Sequence, residues 1–206
     1  MKSSPFTAFV PFGDLDGVKS RLAPALSLEA RQDLALTMLG NVLDAVSAVQ
    51  AMTPAVVVTP DRQVADFATA RGARVFACAG ISLNTDLAAA IAEMWAPGSG
   101  AAVLMADLPR LDAGALAQAI ASVPGEGALI ASDQTGLGTS LLAWRGLDEM
   151  PSLHFGADSF ALHCSALANA PSLVKLVRDP AFNDIDQSDD LHLLPQARSQ
   201  GMVSAL

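Results

Sequence analysis

Short, strongly apolar runs alternate with longer amphipathic stretches along this chain, and that alternation restricts the fold more than any other feature. Phe6-Thr7-Ala8-Phe9-Val10, framed by Pro5 and Pro11, reads as a buried strand. Val56–Val58, Val75–Phe76, Val103–Met105, Leu129–Ile130 and Val174–Val177 read the same way. The spacing predicts a helix from an N-cap at Ser27 to about Val49, and further helices over Asp61–Arg71, Thr85–Trp95, Asp112–Val123, Asp158–Asn169 and Ser188–Leu194. Strands alternating with helices imply βαβ units, right-handed crossovers and a mostly parallel sheet.

With 206 residues and 51% hydrophobic content, residues 1–206 read as a single domain that needs no disulfide or metal staple. The two cysteines, Cys78 and Cys164, form no CxxC pair, which excludes structural zinc and points to a reduced, cytoplasmic setting. Only 12 Lys and Arg stand against 21 Asp and Glu, a balance that speaks against a nucleic-acid partner. Apolar runs such as Ala101–Ala106 are too short to cross a bilayer, and Met1–Pro5 leads straight into the first strand, so neither a membrane nor a signal peptide is expected.

Ligands of open α/β sheets bind beyond the carboxyl ends of the strands, so chemistry is sought in the segments that follow them. The loop after the first strand carries Lys19, one of three lysines, and Arg21. Fixed cations suit a nucleotide triphosphate, although two solvated surface charges are the plain alternative. Asp107 directly follows an apolar strand, where it is either a metal or cation partner or the cap of the next turn. Asp184-Ile185-Asp186 alternates two acids around an apolar residue, so an extended segment turns both carboxylates to one side, an arrangement suited to Mg²⁺. Asp189 and Asp190 read as first-turn helix charges. Gly136–Ser140 and His154–Phe160 read as anion nests, with His154 and His163 structural.

The ordered set Lys19-Ser20-Arg21-Leu22, Leu83-Asn84, Ala106-Asp107-Leu108-Pro109, Gly138-Thr139, Phe155-Gly156 with Ser159-Phe160, and Asp184-Ile185-Asp186 before Asp190-Leu191 resembles the 2-phospho-L-lactate guanylyltransferase family. The match spans nearly the whole chain. The resemblance implies a three-layer α/β/α Rossmann-like nucleotidyltransferase, similar to the nucleotide-diphospho-sugar transferases, with a mixed, mostly parallel sheet. It implies Mg²⁺-dependent transfer of GMP from GTP to a small phosphorylated acid (2-phospho-L-lactate, phosphoenolpyruvate or 3-phosphoglycerate) in deazaflavin coenzyme biosynthesis.

Carried over by position, the resemblance gives Lys19, Ser20 and Arg21 to the nucleotide phosphates and Asn84 to the nucleotide side of the pocket. Asp107 and Asp186 become the metal carboxylates with Asp184 beside them, Lys19 and Arg21 share the catalytic role with Asp107 and Asp186, and Thr139, Gly156 and Ser159 hold the acceptor phosphate. A homodimer is compatible with a family member of this size. The chain departs from the family at Phe12, where a lysine is usual, and at Leu137, where a threonine is usual. Transfer to another acceptor, or nucleotide binding without turnover, are the alternative readings.

Overall fold

In the computed structural model, which describes residues 5–168 and 173–194, seven strands and five α-helices follow the alternating apolar pattern except where β6 succeeds β5 directly. They are β1 (Phe6–Pro11), α1 (Leu28–Ala48), β2 (Val56–Thr59), α2 (Arg62–Ala70), β3 (Arg74–Ala77), α3 (Leu83–Met94), β4 (Gly100–Leu104), α4 (Ala113–Ala121), β5 (Gly127–Ser132), β6 (Thr139–Arg145), α5 (Ser159–Ala168) and β7 (Leu173–Val177).

Local capping sets the helix starts. Ser27 Oγ accepts from the Ala30 amide at 3.2 Å, and Asp61 and Asp112 cap α2 and α4 in the same way. Ser82 accepts from the Thr85 amide, so α3 begins at Leu83, two residues ahead of the expected Thr85, and Asn84 falls in its first turn. The expected end of α5 at Asn169 lies outside the described residues. Ser188–Leu193 is a 3-10 helix rather than part of an α-helix. Six residues are too few to offset the cost of an α-helical nucleus, so the segment keeps the tighter 3-10 turn while Leu191 and Leu193 pack inward.

The sheet order is β3-β2-β1-β4-β6-β5-β7, with every neighbouring pair parallel except those made by β6, which runs antiparallel to β4 and β5. β6 is a strand the sequence pattern does not predict, and it begins inside Gly136–Ser140, read from sequence as part of an anion nest. Residues Thr139–Trp144 are buried on both faces, so they lack the polar alternation that marks a half-exposed strand.

Period-two geometry sorts the strand side chains into two cores. Ala8, Val10, Val57 and Leu104 pack beneath α1, α2 and α4, while Phe9, Val58, Val103 and Trp144 pack against α3 and α5. Helices therefore cover both faces of the sheet. A third, smaller core joins Leu22, Leu34, Met38, Ile185 and Leu193, and it decides where the acidic C-terminal segment lies. Among the described residues, no helix is long and apolar enough to cross a membrane.

Candidate active site

The loop that leaves β1 is pinned before it reaches its first cation. The Phe12 amide donates to Val58 O at 2.9 Å, the Leu15 amide donates to Asp61 Oδ2 at 3.0 Å, and Arg31 of α1 donates to Val18 O at 2.7 Å. Lys19 then adopts a left-handed backbone (φ 48°), uncommon for a residue with a side chain, and its ammonium turns inward. It donates to Asp107, and its Nζ lies 3.1 Å from Asp186 Oδ1. Arg21 reaches the other oxygen of Asp186 at 3.2 Å. The two cations are unequal. The Lys19 side chain is 9% exposed against 72% for Arg21, so solvent screens the Arg21 pair far more.

Asp107 pairs with Lys19, and Asp112 takes the cap of the following helix. One Asp107 oxygen, Oδ1, is buried without a hydrogen-bond partner among the described residues. Asp184 and Asp186 flank the fully buried Ile185, and the side-chain oxygens of Asp107, Asp184 and Asp186 come within 4.8 Å of one another. Neighbouring groups hold this segment in place. The Asp186 and Gln187 amides donate to Asp190 Oδ2 at 3.0 and 2.7 Å, and Gln134 exchanges hydrogen bonds with the backbone of Asp184. Asp190, in the first turn of Ser188–Leu193 as the sequence predicts, also positions Asp186, and Gln134, which no sequence motif marks, positions Asp184.

Burial, with the neighbouring charges of Asp107 and Asp186 adding to it, pushes Asp184 up to about 7. Burial opposes the charge on Lys19, but the two carboxylates outweigh it and raise its pKa above the ordinary value. A crowded trio of hard oxygen donors with an orphaned buried oxygen fits a small divalent cation that retains waters and bridges to phosphate. A cavity of about 610 Å³ opens beside it, beyond the carboxyl ends of β1 to β4, with Phe12, Lys19, Cys78, Leu83, Asp86 and Asp107 in its wall.

The remaining sequence-singled residues lie around the 153–160 loop. Asn84 binds the backbone of Phe155 at both ends of its amide, accepting from Phe155 N at 2.8 Å and donating to Phe155 O at 2.9 Å. The Thr139 amide donates to Ser159 Oγ at 2.8 Å. The His154 amide donates to His163 Nε2 at 2.9 Å, so the neutral ring carries its proton on Nδ1 and donates to Thr139 Oγ1 at 3.0 Å. Gly156 is exposed with φ 128°, and Ser20 is exposed in the 3-10 turn of Ser20–Leu22. The amides of Gly136, Leu137 and Gly138 converge as an anion nest, but the anion they hold is the Asp133 carboxylate. An aspartate three residues before a Gly-x-Gly turn is the local signal for such a self-filled nest.

Comparison with known proteins gives a consistent result. A family model described as "Guanylyl transferase CofC like" matches residues 6–195. A phosphoenolpyruvate guanylyltransferase of Nocardia farcinica is 38% identical over 172 residues, covering 81% of this chain and 76% of that protein. The protein of the same name from Sphaerobacter thermophilus is 35% identical over 190 residues, covering 91% of each. Among solved structures, a protein from Desulfovibrio desulfuricans described as a nucleotide-diphospho-sugar transferase superposes with a TM-score of 0.77 at 18% identity, covering 95% of this chain and 88% of that one. A nucleotidyl transferase from Methanothermobacter gives 0.65 at 15% identity, covering 98% and 99%. These likenesses establish the nucleotidyltransferase fold.

Proposed function

The chain belongs to the CofC-like guanylyl transferase family and is a guanylyltransferase, and from that premise we propose that it transfers GMP from GTP to the phosphate of a small phosphorylated acid. Phosphoenolpyruvate leads among acceptors because it is the one named for the relatives at 35–38% identity; 2-phospho-L-lactate and 3-phosphoglycerate are the alternatives. The product would be the activated acid used in deazaflavin coenzyme assembly.

A single observation carries the reading: a buried ammonium set among three carboxylates at the mouth of a nucleotide-sized cavity. An oxygen of the acceptor phosphate attacks the α-phosphorus of GTP, the new P–O bond forms in line with the breaking bond to the β-phosphate, and pyrophosphate leaves with that electron pair. An ionised phosphate needs no strong general base, so positioning and charge neutralisation dominate. Lys19, with Ser20 and Arg21 beside it, supplies cations to the triphosphate. Asp107, Asp184 and Asp186 would hold Mg²⁺, which when bound neutralises phosphate charge and steadies the leaving group.

The acceptor phosphate is assigned to Thr139, Gly156 and Ser159 on the resemblance; Thr139 and Ser159 are buried and outside the wall of the described cavity, while Gly156 is exposed. Each hydroxyl oxygen already accepts a hydrogen bond, from His163 and from the Thr139 amide, which leaves each hydroxyl proton to be donated. Met105 N donates to Ser140 O at 3.0 Å, which sets the start of β6 beside the loop carrying Asp107. Asn84 would act by holding the Phe155 loop against α3.

The test is pyrophosphate release with Mg²⁺, crossing GTP, ATP, CTP and UTP with the three acids, alongside Asp107→Asn. GTP-dependent release that names one acid and is lost in the variant is expected. Silence across the grid, with the protein folded, would sink the proposal.

A further inference from the structure

We propose that Asp86 reads the base, accepting the paired N1–H and N2–H₂ donors of guanine on its two carboxylate oxygens. The inference rests on the guanylyltransferase reading and adds the group that selects the nucleotide.

Asp86 lies in the first turn of α3, is only 9% exposed, and forms part of the cavity wall with Phe12, Val58, Leu83 and Met105. Its side chain meets the Cys78 thiol, a weak donor. Among the described residues no N–H, hydroxyl or cation donates to this carboxylate. A first-turn acid gains from the helix dipole whether or not anything binds. The dipole does not explain why the carboxylate stands in the wall of a largely apolar cavity with no strong donor among the described residues facing it, where a ligand's N–H groups would be its natural partners.

The cavity also has the right polarity along its length. Cys78 and Gly80 follow β3, while Lys19 and Asp107 follow β1 and β4. α3 packs over β1 and β2, so Asp86 in its first turn lines the same cavity as Lys19 and Asp107. With phosphates at Lys19, the base would lie along that shared wall, where Asp86 can reach it. Guanine alone presents two adjacent donors to a carboxylate. Adenine and cytosine set an acceptor nitrogen next to their amine, and uracil flanks its single N–H with carbonyls. For those bases the same carboxylate is repulsive, so one residue both attracts GTP and rejects its competitors.

The test measures equilibrium binding of GTP, ITP, XTP and ATP with Mg²⁺, without acceptor, to the wild-type protein and to Asp86→Asn. ITP lacks only the N2 amine, so the wild-type protein should bind it about ten- to a hundredfold more weakly than GTP. In Asp86→Asn the amide donates to the O2 of xanthine and accepts from N1–H, so GTP should weaken by a similar factor while XTP strengthens. Equal wild-type affinity for GTP and ITP would overturn the assignment without any variant. An unchanged nucleotide order in a variant that melts like the wild type would overturn it as well. Failure of the wild-type protein to bind any guanine nucleotide would instead sink the guanylyltransferase reading on which the assignment rests.

Discussion

Lys19 and Asp186 are 167 positions apart in the chain, yet their charged atoms lie 3.1 Å apart. Since Asp107 takes another of the three ammonium protons, one side chain neutralises two carboxylates that lie far apart in the sequence. Lys19→Met should lower pyrophosphate release about 10²- to 10³-fold, the range seen when one preorganised charge donor is removed. Lys19→Arg should recover little, because a planar fork cannot replace a compact ammonium in so buried a position. Because its carboxylate partners raise the Lys19 pKa above the ordinary lysine value, the wild-type pH–rate profile should show no alkaline loss from this group below pH 10. Full activity in Lys19→Met would remove the residue from the catalytic set.

Ile185 anchors the acidic segment in the small core with Leu22, Met38 and Leu193. Ile185→Ala deletes fully buried methyl groups and should cost about 2–5 kcal/mol in urea unfolding. It removes no charge, so weakened Mg²⁺ dependence in the folded variant would show that carboxylate placement depends on this contact. Wild-type stability would refute the anchoring role.

His163 is 1% exposed, and burial, aided by the nearby His154, lowers its pKa to about 4. The unfolded chain therefore takes up a proton near 6.5 while the folded chain does not. Stability contributed by the neutral ring is complete above about pH 6.5 and declines as pH falls toward 4. Urea unfolding at pH 7.5 and pH 5 should show a larger loss for the wild type than for His163→Gln. Equal losses would mean that His163 does not titrate between the two states.

Much of the fold was legible because its signals are local. Ser27, Asp61 and Asp112 cap the helices they precede, and the Val-rich runs form strands, since both effects act within a few residues. The failures are of two kinds. β6 is buried on both faces and so lacks a period, α3 starts early because Ser82 rather than a later residue satisfies its first amides, and the nest at Gly136–Gly138 is filled by Asp133. For β6 the outcome depends on distant neighbours that a linear pattern does not name, whereas Ser82 and Asp133 act on amides three to five residues away and were local signals open to reading.

By itself the sequence determined the alternating α/β architecture, the strand-end position of Lys19 and Asp107, and the resemblance that points to guanylyl transfer. Alternation of Asp184 and Asp186 around Ile185 also predicted that both carboxylates turn the same way. Only the tertiary structure decided that they turn toward Asp107 and Lys19, that Asn84 spends its amide on Phe155, and that Asp86 faces the cavity. The physical reason is range. Capping and strand periodicity are set by hydrogen bonds and side-chain directions within a few residues, whereas charges and cavity walls are assembled across long loops when distant apolar faces are buried together.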